Sequence, residues 1–473
     1  MIIMRRRMMG LSDYGTSDVT VYVNGRNGVA NRVLTDNPNF SLSSVSSMWV
    51  DGVEMIPTKT VVFDDEDEHS IHFQFVGASV PAYTFYGCDE LVCVTLDQSI
   101  EGVGDYALYG TVGVGCLVVY GSALPLTGVC SFGDPSDANT MCCSGYGQSV
   151  ARVYAKREVY ETLTGGWKDL EACAAFKPLL VEHPFTVSAS KAVSFGSSNL
   201  QYLGSKNVFT FGTWQGEMYG KNGGNETAPA SRGQSVQLID LFGWACSGGD
   251  YAGYHRHWKP YDCVYYSGGS SFAYYYGIVY GSQNYSYSLD GTGADWGVAN
   301  RLPSEQVRSG WRTLTADEWN YLWATRSNAT ALRAKGKVSD VKGLILLPDD
   351  WVLPEGASLV TDASGTTTFA SNTLNDGEWA VLEDAGAIFL PAAGYRSAVS
   401  ANSATVTADD YTGSGVPTVG DADHSGNPVG SYWSTTYIGS QAYRFYFANA
   451  STTTRNAAAR YTGYSVRLVR DRV

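Results

Sequence analysis

Alternation of apolar and polar residues predicts β-strands along most of this chain. The segment 19–23 reads Val-Thr-Val-Tyr-Val, and this period of two is typical of a strand with one buried face. The same signal recurs in short runs bounded by turn residues. Further strands are predicted at 184–188, 191–195, 199–202, 343–348, 388–396, 432–434 and 465–469.

The alternating segment nearest the C-terminus predicts two chemically different faces. Tyr443, Phe445 and Phe447 are expected to face the core. The residues between and after them, Arg444, Tyr446 and Ala448, are expected on the opposite face. Tyrosine and arginine give a large contact area for few ordered torsions, so this second face is predicted to be displayed to a partner.

One helix has a clear start signal. Thr315 is a candidate N-cap, and Glu318 stands three residues later, as in a capping box. Trp319, Leu322 and Trp323 would form the buried stripe of this helix.

A repeat of 23 residues occupies the first half of the chain. Seven residues recur at this spacing, and Phe132-Gly133 continues the period. Stacked coils are the usual meaning of such a repeat. The phrase Gly104–Gly110 and the strand Cys116–Tyr120 resemble the bacterial surface-type leucine-rich repeat, and 151–167 is similar to the terminal cap of that family.

Composition narrows the class of protein. Among 473 residues there are 53 Gly and 32 Tyr, and the net charge is −14, which argues against a nucleic-acid partner. No signal-peptide pattern follows the first ten residues, and no run of 18 apolar residues predicts membrane insertion. Without an export signal, the nine cysteines are expected to be buried thiols rather than disulfides.

The second half carries phrases that together resemble a group of gut-bacterial and phage proteins with a C-type lectin-like domain, distantly similar to formylglycine-generating enzymes. These phrases are 199–202, 240–244, 294–297, 310–314, 343–348, 390–396, 432–434 and 463–469. The expected fold is therefore α+β and β-rich, with a short leucine-rich-repeat-like solenoid followed by a C-type lectin-like domain. The expected division is a capping or attachment segment at 1–50, the solenoid at 51–180 and the ligand-binding domain at 181–473.

Within that group, the similarity is to variable proteins of diversity-generating retroelements, which implies a variable region at about 431–469. Adenine randomisation of AAC codons there yields residues such as Asn, Tyr, Ser, Thr, Ala, Ile, Gly, Arg and Asp, but never Gln, so Gln441 should be constant. The resemblance implies sixteen ligand-binding positions, all reachable from AAC: Tyr437, Ile438, Gly439, Arg444, Tyr446, Ala448, Asn449, Thr453, Arg455, Asn456, Ala457, Ala458, Ala459, Tyr461, Thr462 and Tyr464.

The function implied is recognition of a host-cell surface protein or glycan by a phage tail-fibre tip, with the protein located in the virion. A bacterial cell-surface adhesin of the same architecture is an alternative, and a catalytically inactive structural relative is another. The oligomeric state stays open; analogy with fibre tips suggests a homotrimer.

Enzymatic and metal functions are not expected. The formylglycine-generating relatives use a late pair of cysteines, whereas no cysteine follows Cys263 here. No cofactor is predicted. His255, His257, Asp262 and Cys263 fit no standard zinc spacing, 421–427 is expected to be a solvated turn, and the acidic run 64–68 a solvated loop.

Overall fold

The chain folds as two compact units, Met1–Leu179 (unit 1) and Leu180–Val473 (unit 2), in the computed structural model. Strands account for 40% of residues and helices for 12%, which confirms the β-rich α+β class. None of the described helices is long and apolar enough to cross a membrane. The structure describes residues 18–65, 68–121, 123–142, 144, 151–155, 159, 163–172, 174–177, 180–203, 208–219, 238–245, 264–268, 271–275, 288–299, 310–396, 399–401, 419–420, 427–439, 441–460 and 462–472.

Unit 1 is built mainly from one sheet of eight strands. Its elements are β1 (Asp18–Asn24), β2 (Ala30–Arg32), β3 (Val45–Val50), β4 (Val53–Met55), β5 (Thr60–Val62), β6 (Glu68–Phe75), β7 (Ser79–Val80), β8 (Leu91–Leu96), β9 (Gly102–Val103), β10 (Cys116–Val119), β11 (Leu126–Thr127), β12 (Ala151–Tyr154), β13 (Ala174–Lys177) and the short helix α1 (Gly166–Asp169). The sheet order is β13-β12-β10-β8-β1-β6-β3-β4. The predicted boundary at residue 50 lies in the turn between β3 and β4, so one sheet contains strands from both sides of it.

The 23-residue repeat corresponds to coils that stack in register. β8, β10, β12 and β13 are parallel neighbours, and β7, β9 and β11 form a second parallel ladder. Equivalent tyrosines stack between coils, with ring centroids 5.1 Å apart for Tyr83 with Tyr106 and for Tyr86 with Tyr109. Because each coil contacts its equivalent in the next one, the repeat in the sequence becomes a ladder of identical contacts.

A glycine recurs where each coil turns. Gly87, Gly110 and Gly133 have φ values of +67°, +72° and +127°. Residues with a Cβ rarely adopt this backbone region, so the 23-residue spacing of these glycines follows from the turn geometry.

The prediction of buried thiols is confirmed for two cysteines of unit 1. Cys88 and Cys116 are buried and carry free thiols. Burial raises the pKa of Cys88, so its thiol is not a reactive thiolate.

In the acidic run at 64–68, predicted to be a solvated loop, Asp64 and Asp65 lie in a bend, Glu68 instead begins β6, and 66–67 lie outside the described residues. Asp65 accepts a hydrogen bond from Nε2 of His69 at 2.8 Å, while Nδ1 of the same ring lies 2.7 Å from Asp51. The ring also stacks on Phe63, with centroids 3.7 Å apart. With a carboxylate at each nitrogen, the surroundings of His69 favour its protonated form.

Unit 2 contains several small sheets. Its strands are β14 (Leu180–Ser188), β15 (Lys191–Gly196), β16 (Leu200–Leu203), β17 (Val208–Phe211), β18 (Val264–Gly268), β19 (Ser271–Tyr275), β20 (Trp311–Thr313), β21 (Arg333–Val338), β22 (Val341–Leu346), β23 (Thr373–Leu374), β24 (Ile388–Pro391), β25 (Tyr395–Arg396), β26 (Val399–Ala401), β27 (Val419–Gly420), β28 (Gly430–Ile438), β29 (Gln441–Phe447), β30 (Thr452–Ala459) and β31 (Leu468–Asp471). Its helices are α2 (Trp296–Ala299), α3 (Ala316–Asn320) and α4 (Asp376–Asp384).

Three sheets of unit 2 position the candidate site. They have the orders β14-β15-β31-β20, β23-β21-β22-β24 and β28-β29-β30. The first joins the beginning and end of the unit, since β15 pairs with both β14 and β31. The last predicted strand, 465–469, is wrong in its bounds: only the residues from Leu468 onward belong to β31, whereas Ser465 makes an isolated bridge to Tyr432.

Helix α3 begins as the sequence predicts. The Thr315 hydroxyl accepts a hydrogen bond from the backbone N–H of Glu318, and the Glu318 carboxylate accepts one from the Thr315 N–H, which completes the capping box. Trp319 of α3 is 1% exposed; Leu322, also 1% exposed, and the partly buried Trp323 lie in the π-helical turn Tyr321–Thr325 that directly follows α3. This helix presents its apolar stripe to the core of unit 2.

We expect the His69 contacts to make part of unit 1 sensitive to pH. Burial lowers the pKa of His69, but its hydrogen bonds and charge interactions with Asp51 and Asp65 outweigh burial and leave the pKa raised. The stabilisation is therefore fully present below the pKa of an unfolded histidine, about 6.5, and is lost as pH rises through the folded value. The protection factors of the β6 amides, which already allow for the intrinsic rise of exchange with pH, should fall over that rise in the wild type.

His69→Gln should remove this fall in protection, and His183→Gln, which changes a half-buried histidine beside Asp350 in unit 2, should leave it unchanged. Equal pH profiles for wild type and His69→Gln would refute the assignment.

Candidate ligand-binding surface

The predicted variable region forms a three-stranded antiparallel sheet, β28-β29-β30. Arg444 lies opposite Trp433 on one side and Asn456 on the other. The register shifts between Trp433 and Tyr437 and again between Arg444 and Tyr446. The segment 456–459 is part of a strand, since β30 continues to Ala459.

One face of this sheet is fixed to α3 by aromatic packing. Phe445 and Phe447 are fully buried, and the ring of Phe445 stacks on Trp319 with centroids 4.8 Å apart and planes at 7°. Tyr432 stacks on Phe447 at 6.2 Å. Full burial of such rings contributes several kcal/mol, on the order of 3–5 for each Phe removed, so this face determines the position of the sheet.

A buried polar network supports the same sheet from within. The Tyr432 hydroxyl donates to the carbonyl of Pro391 at 3.0 Å and accepts from the Asn199 amide at 3.2 Å. Arg467 donates to Gln215 at 2.7 Å. Because unmade hydrogen bonds are costly in the interior, these partners restrict Tyr432 to one orientation.

The opposite face presents Arg444 and Tyr446. The Arg444 guanidinium lies over the rings of Tyr446 and Tyr464, at 5.0 and 4.4 Å from their centroids. Its Nε donates to Oδ1 of Asn456 at 3.1 Å, and its Nη1 donates to the Ser431 hydroxyl at 3.0 Å. Arg444 and Tyr446 are both half-buried, so neither lies deep in the interior.

The structure places the sixteen predicted positions in four groups. The exposed ones are Ile438, Gly439, Asn449, Thr453, Arg455 and Ala457; the half-buried ones are Tyr437, Arg444, Tyr446, Ala448, Asn456, Ala459 and Thr462; the buried ones are Ala458 and Tyr464; and Tyr461 lies outside the described residues.

Ala458 and Tyr464 do not fit the role predicted for them. Ala458 is 6% exposed and lies opposite the fully buried Ala442. Tyr464 is 5% exposed and packs edge-on against Trp433 with centroids 4.7 Å apart. Both residues are packed beneath the predicted contact surface and are not exposed on it.

Tyr443 was predicted to lie in the core with Phe445 and Phe447, but it is only half-buried. It occupies the place in β29 where the register with β28 shifts, between the pairs Trp433–Arg444 and Tyr437–Ala442. Such a bulge interrupts the simple alternation on which the prediction relied.

Two cationic side chains bind the turns at the ends of the sheet, and no pattern along the chain indicated either role. Arg460 donates to the carbonyls of Gly439, at 2.7 Å, and Gln441, at 3.1 Å, in the β28–β29 turn. Lys335, 2% exposed, reaches the β29–β30 turn, where its Nζ lies 3.1 Å from the carbonyl of Ser451 and 3.4 Å from that of Asn449.

The outer strand β30 is tied to α3 along its length. The Thr454 hydroxyl donates to the Asn320 side chain at 2.8 Å, and Arg455 forms an ion pair with Asp317 at 2.5 Å. Asn449, one of the predicted contact residues, also accepts a hydrogen bond from the backbone of Phe369. The sheet is therefore a rigid platform, as precise display of side chains requires.

Among the described residues, no cluster of histidine, cysteine or acidic side chains could hold a metal ion. The zinc candidates His255, His257, Asp262 and Cys263 lie outside the described residues, as do 421–426; Asn427 is described and exposed.

The two faces of β29 should respond differently to truncation. Phe445→Ala should lower the free energy of unfolding of unit 2 by about 3–5 kcal/mol, because it removes a ring packed against Trp319. Tyr446→Ala should lower it by about 1 kcal/mol or less, because it removes a partly exposed cation–π contact. Urea unfolding followed by tryptophan fluorescence measures both. Equal losses would contradict the assignment of the faces.

Lys335 should position the β29–β30 turn without stabilising the fold. Burial lowers its pKa to about 8, so its charge costs stability below that pH, and the cost falls as pH rises toward 10.5. Lys335→Met should leave the free energy of unfolding unchanged or raised.

The same substitution should accelerate exchange of the Ala448 amide, which donates to Ser451, by about tenfold. Lys337→Met, which removes an exposed ion pair with Asp340, is the matched control. Unchanged exchange at Ala448 in Lys335→Met would exclude the positioning role.

Comparison of the chain with protein-family models, with curated proteins and with solved structures found no match. The function proposed below therefore rests on the residues and geometry of the chain itself.

Proposed function

We propose that this protein is a non-enzymatic receptor-binding protein, and that the outward face of β28–β30 is its ligand-binding surface. Unit 2 would be a C-type lectin-like domain whose contact residues are diversified by a retroelement. The partner would be a protein or glycan on a host cell, and the protein would act at the tip of a phage tail fibre.

The observation that carries this proposal is that the β28–β30 sheet has one buried face and one accessible face. Phe445 and Phe447 are fully buried against aromatic residues, whereas Arg444 and Tyr446 between and beside them remain accessible on the other face. A surface that changes its side chains without losing its fold needs such a separation, since surface substitutions usually alter stability by about 0.5 kcal/mol or less.

The composition of the surface supports the same proposal. From Ser431 to Val469 there is no Asp, Glu or Lys, while the exposed and half-buried positions carry Tyr, Arg, Asn, Thr, Ala and Gly. Large amphipathic rings beside small adaptable residues are typical of evolved binding surfaces. Turn anchors at both ends, Arg460 and Lys335, keep this mixture on a fixed backbone.

Unit 1 fits the role of a spacer in this proposal. Its coils repeat the same contacts along one direction, which is how solenoids build length from short sequences. We assign it as a short, degenerate leucine-rich-repeat-like solenoid. Trp167 closes the described stack, donating from its indole to the carbonyl of Pro125 at 2.7 Å and packing on Phe132.

Sequencing this gene from many isolates tests the proposal. Substitutions should concentrate at the thirteen exposed or half-buried positions named above and at Tyr461. Phe445, Phe447, Ala458 and Tyr464 should stay constant because they are buried.

Gln441 provides the sharpest control because it is exposed but cannot arise from an AAC codon. Ordinary drift of surface residues would vary Gln441 as often as Thr453, whereas diversification by a retroelement would leave Gln441 unchanged. Variation at Gln441 equal to that at Thr453, or changes spread evenly over the gene, would contradict the proposal.

A further inference from the structure

The side chain of Arg444 contacts only uncharged groups among the described residues, and some of its donors remain available to a ligand. An arginine offers five N–H donors, and two of those of Arg444 are used, by Asn456 and by Ser431. The terminal nitrogen Nη2 makes no hydrogen bond within the part of the chain that the structure describes. The rings of Tyr446 and Tyr464 fix the plane of the guanidinium through cation–π contacts.

Three other arginines of unit 2 are paired with carboxylates, whereas the buried Arg467, like Arg444, donates to neutral side chains. Arg312 pairs with Glu318 at 2.7 Å, and also with Asp471. Arg326 pairs with Asp349 at 3.0 Å, and Arg333 with Asp362 at 2.9 Å. Among the described residues, no Asp or Glu pairs with Arg444.

The lack of a carboxylate partner among the described residues affects the free energy of the charged Arg444 side chain. Burial lowers the pKa of Arg444, while Tyr464, Tyr446 and Tyr395 act in the opposite direction. An arginine nevertheless stays protonated in proteins. Its charge is therefore partly desolvated and is compensated only by hydrogen bonds and ring contacts with neutral groups, so an anion bound from outside would add a charge interaction that the free protein lacks.

We infer that Arg444 anchors a binding site for a carboxylate group of the ligand. The inference deepens the proposed function and rests on it, because it names the chemistry that the β28–β30 surface selects. Guanidinium and carboxylate match in a planar, bidentate pair, and the terminal nitrogens of Arg444 retain the donors for it. Asn456 and Thr453, on the neighbouring strand, flank the position that the rest of the ligand would occupy.

A carboxylate on a host surface can belong to an acidic sugar or to an acidic side chain of a protein. The first source is represented by methyl β-glucuronide and the methyl glycoside of N-acetylneuraminic acid. The second is represented by a blocked peptide that contains two glutamates. For each probe, the matching carboxamide removes the charge and keeps the shape.

The test is calorimetric or ligand-observed NMR titration of the full chain at low salt. At least one acidic probe should bind the wild type about tenfold or more tightly than its carboxamide, as expected for a charge-assisted hydrogen-bonded pair. The arm that shows this preference identifies the source. No preference for any acid over its carboxamide in the wild type would overturn the inference without the need for a variant.

Substitutions test whether Arg444 is the residue that makes the protein bind an acid more tightly than its carboxamide. Arg444→Gln should abolish it, and Arg444→Lys should retain only part of it, because lysine keeps the charge but loses the planar fork. Arg26→Gln, which changes an exposed arginine of unit 1 already paired with Glu90, should retain it. An equal preference in Arg444→Gln and the wild type would place the carboxylate elsewhere and refute the inference.

Melting curves of each variant show whether the sheet is intact. If Arg444→Gln unfolds, Arg444→Lys and the acid–amide comparison in the wild type still decide the question. If isolates vary at the predicted positions but no acidic probe binds more tightly than its carboxamide, the carboxylate inference is wrong and the proposed function still stands. Constant sequences at those positions would instead contradict the proposed function.

Discussion

The stacking of Phe445 on Trp319 is the contact on which the candidate surface depends. It joins the central strand of the β28–β30 sheet to helix α3, whose start is fixed by the Thr315–Glu318 capping box. Phe447 and Tyr432 extend the same aromatic layer. Because this layer holds the backbone from one side, the side chains on the other side contribute little to folding and can differ without loss of the fold.

Charged side chains at the edges of the β28–β30 sheet bind backbone carbonyls or a carboxylate, whereas Arg444 at its centre has no carboxylate partner among the described residues. Arg460 and Lys335 bind backbone carbonyls of the two turns, and Arg455 is paired with Asp317. Arg444 has only neutral partners among the described residues. Since Arg460 and Lys335 also bind carbonyls rather than carboxylates, what sets Arg444 apart is its half-exposed position at the centre of the proposed binding surface.

Sequence patterns predicted the local features of this fold better than the long-range ones. The helix at Thr315 and the coil spacing of unit 1 follow from nearby residues, through a capping box and a repeated glycine turn. The burial of Tyr464 and the half-burial of Tyr443 do not, since the first depends on packing against Trp433 and the second on a bulge in the pairing with β28. Lys335 lies more than a hundred residues from the turn it binds, so no local pattern could indicate that role.

The most direct measurement of the central claim is the melting temperature of unit 2 after several outward residues are replaced together. A variant combining Ile438→Asn, Thr453→Asn and Ala457→Thr changes three exposed positions of β28 and β30 and leaves the aromatic layer and the Arg455–Asp317 ion pair untouched. Its melting temperature should stay within about 5 °C of the wild type, because exposed substitutions cost little. Loss of cooperative unfolding in this variant would show that the outward face is part of the core, and the account of a separable binding surface would be wrong.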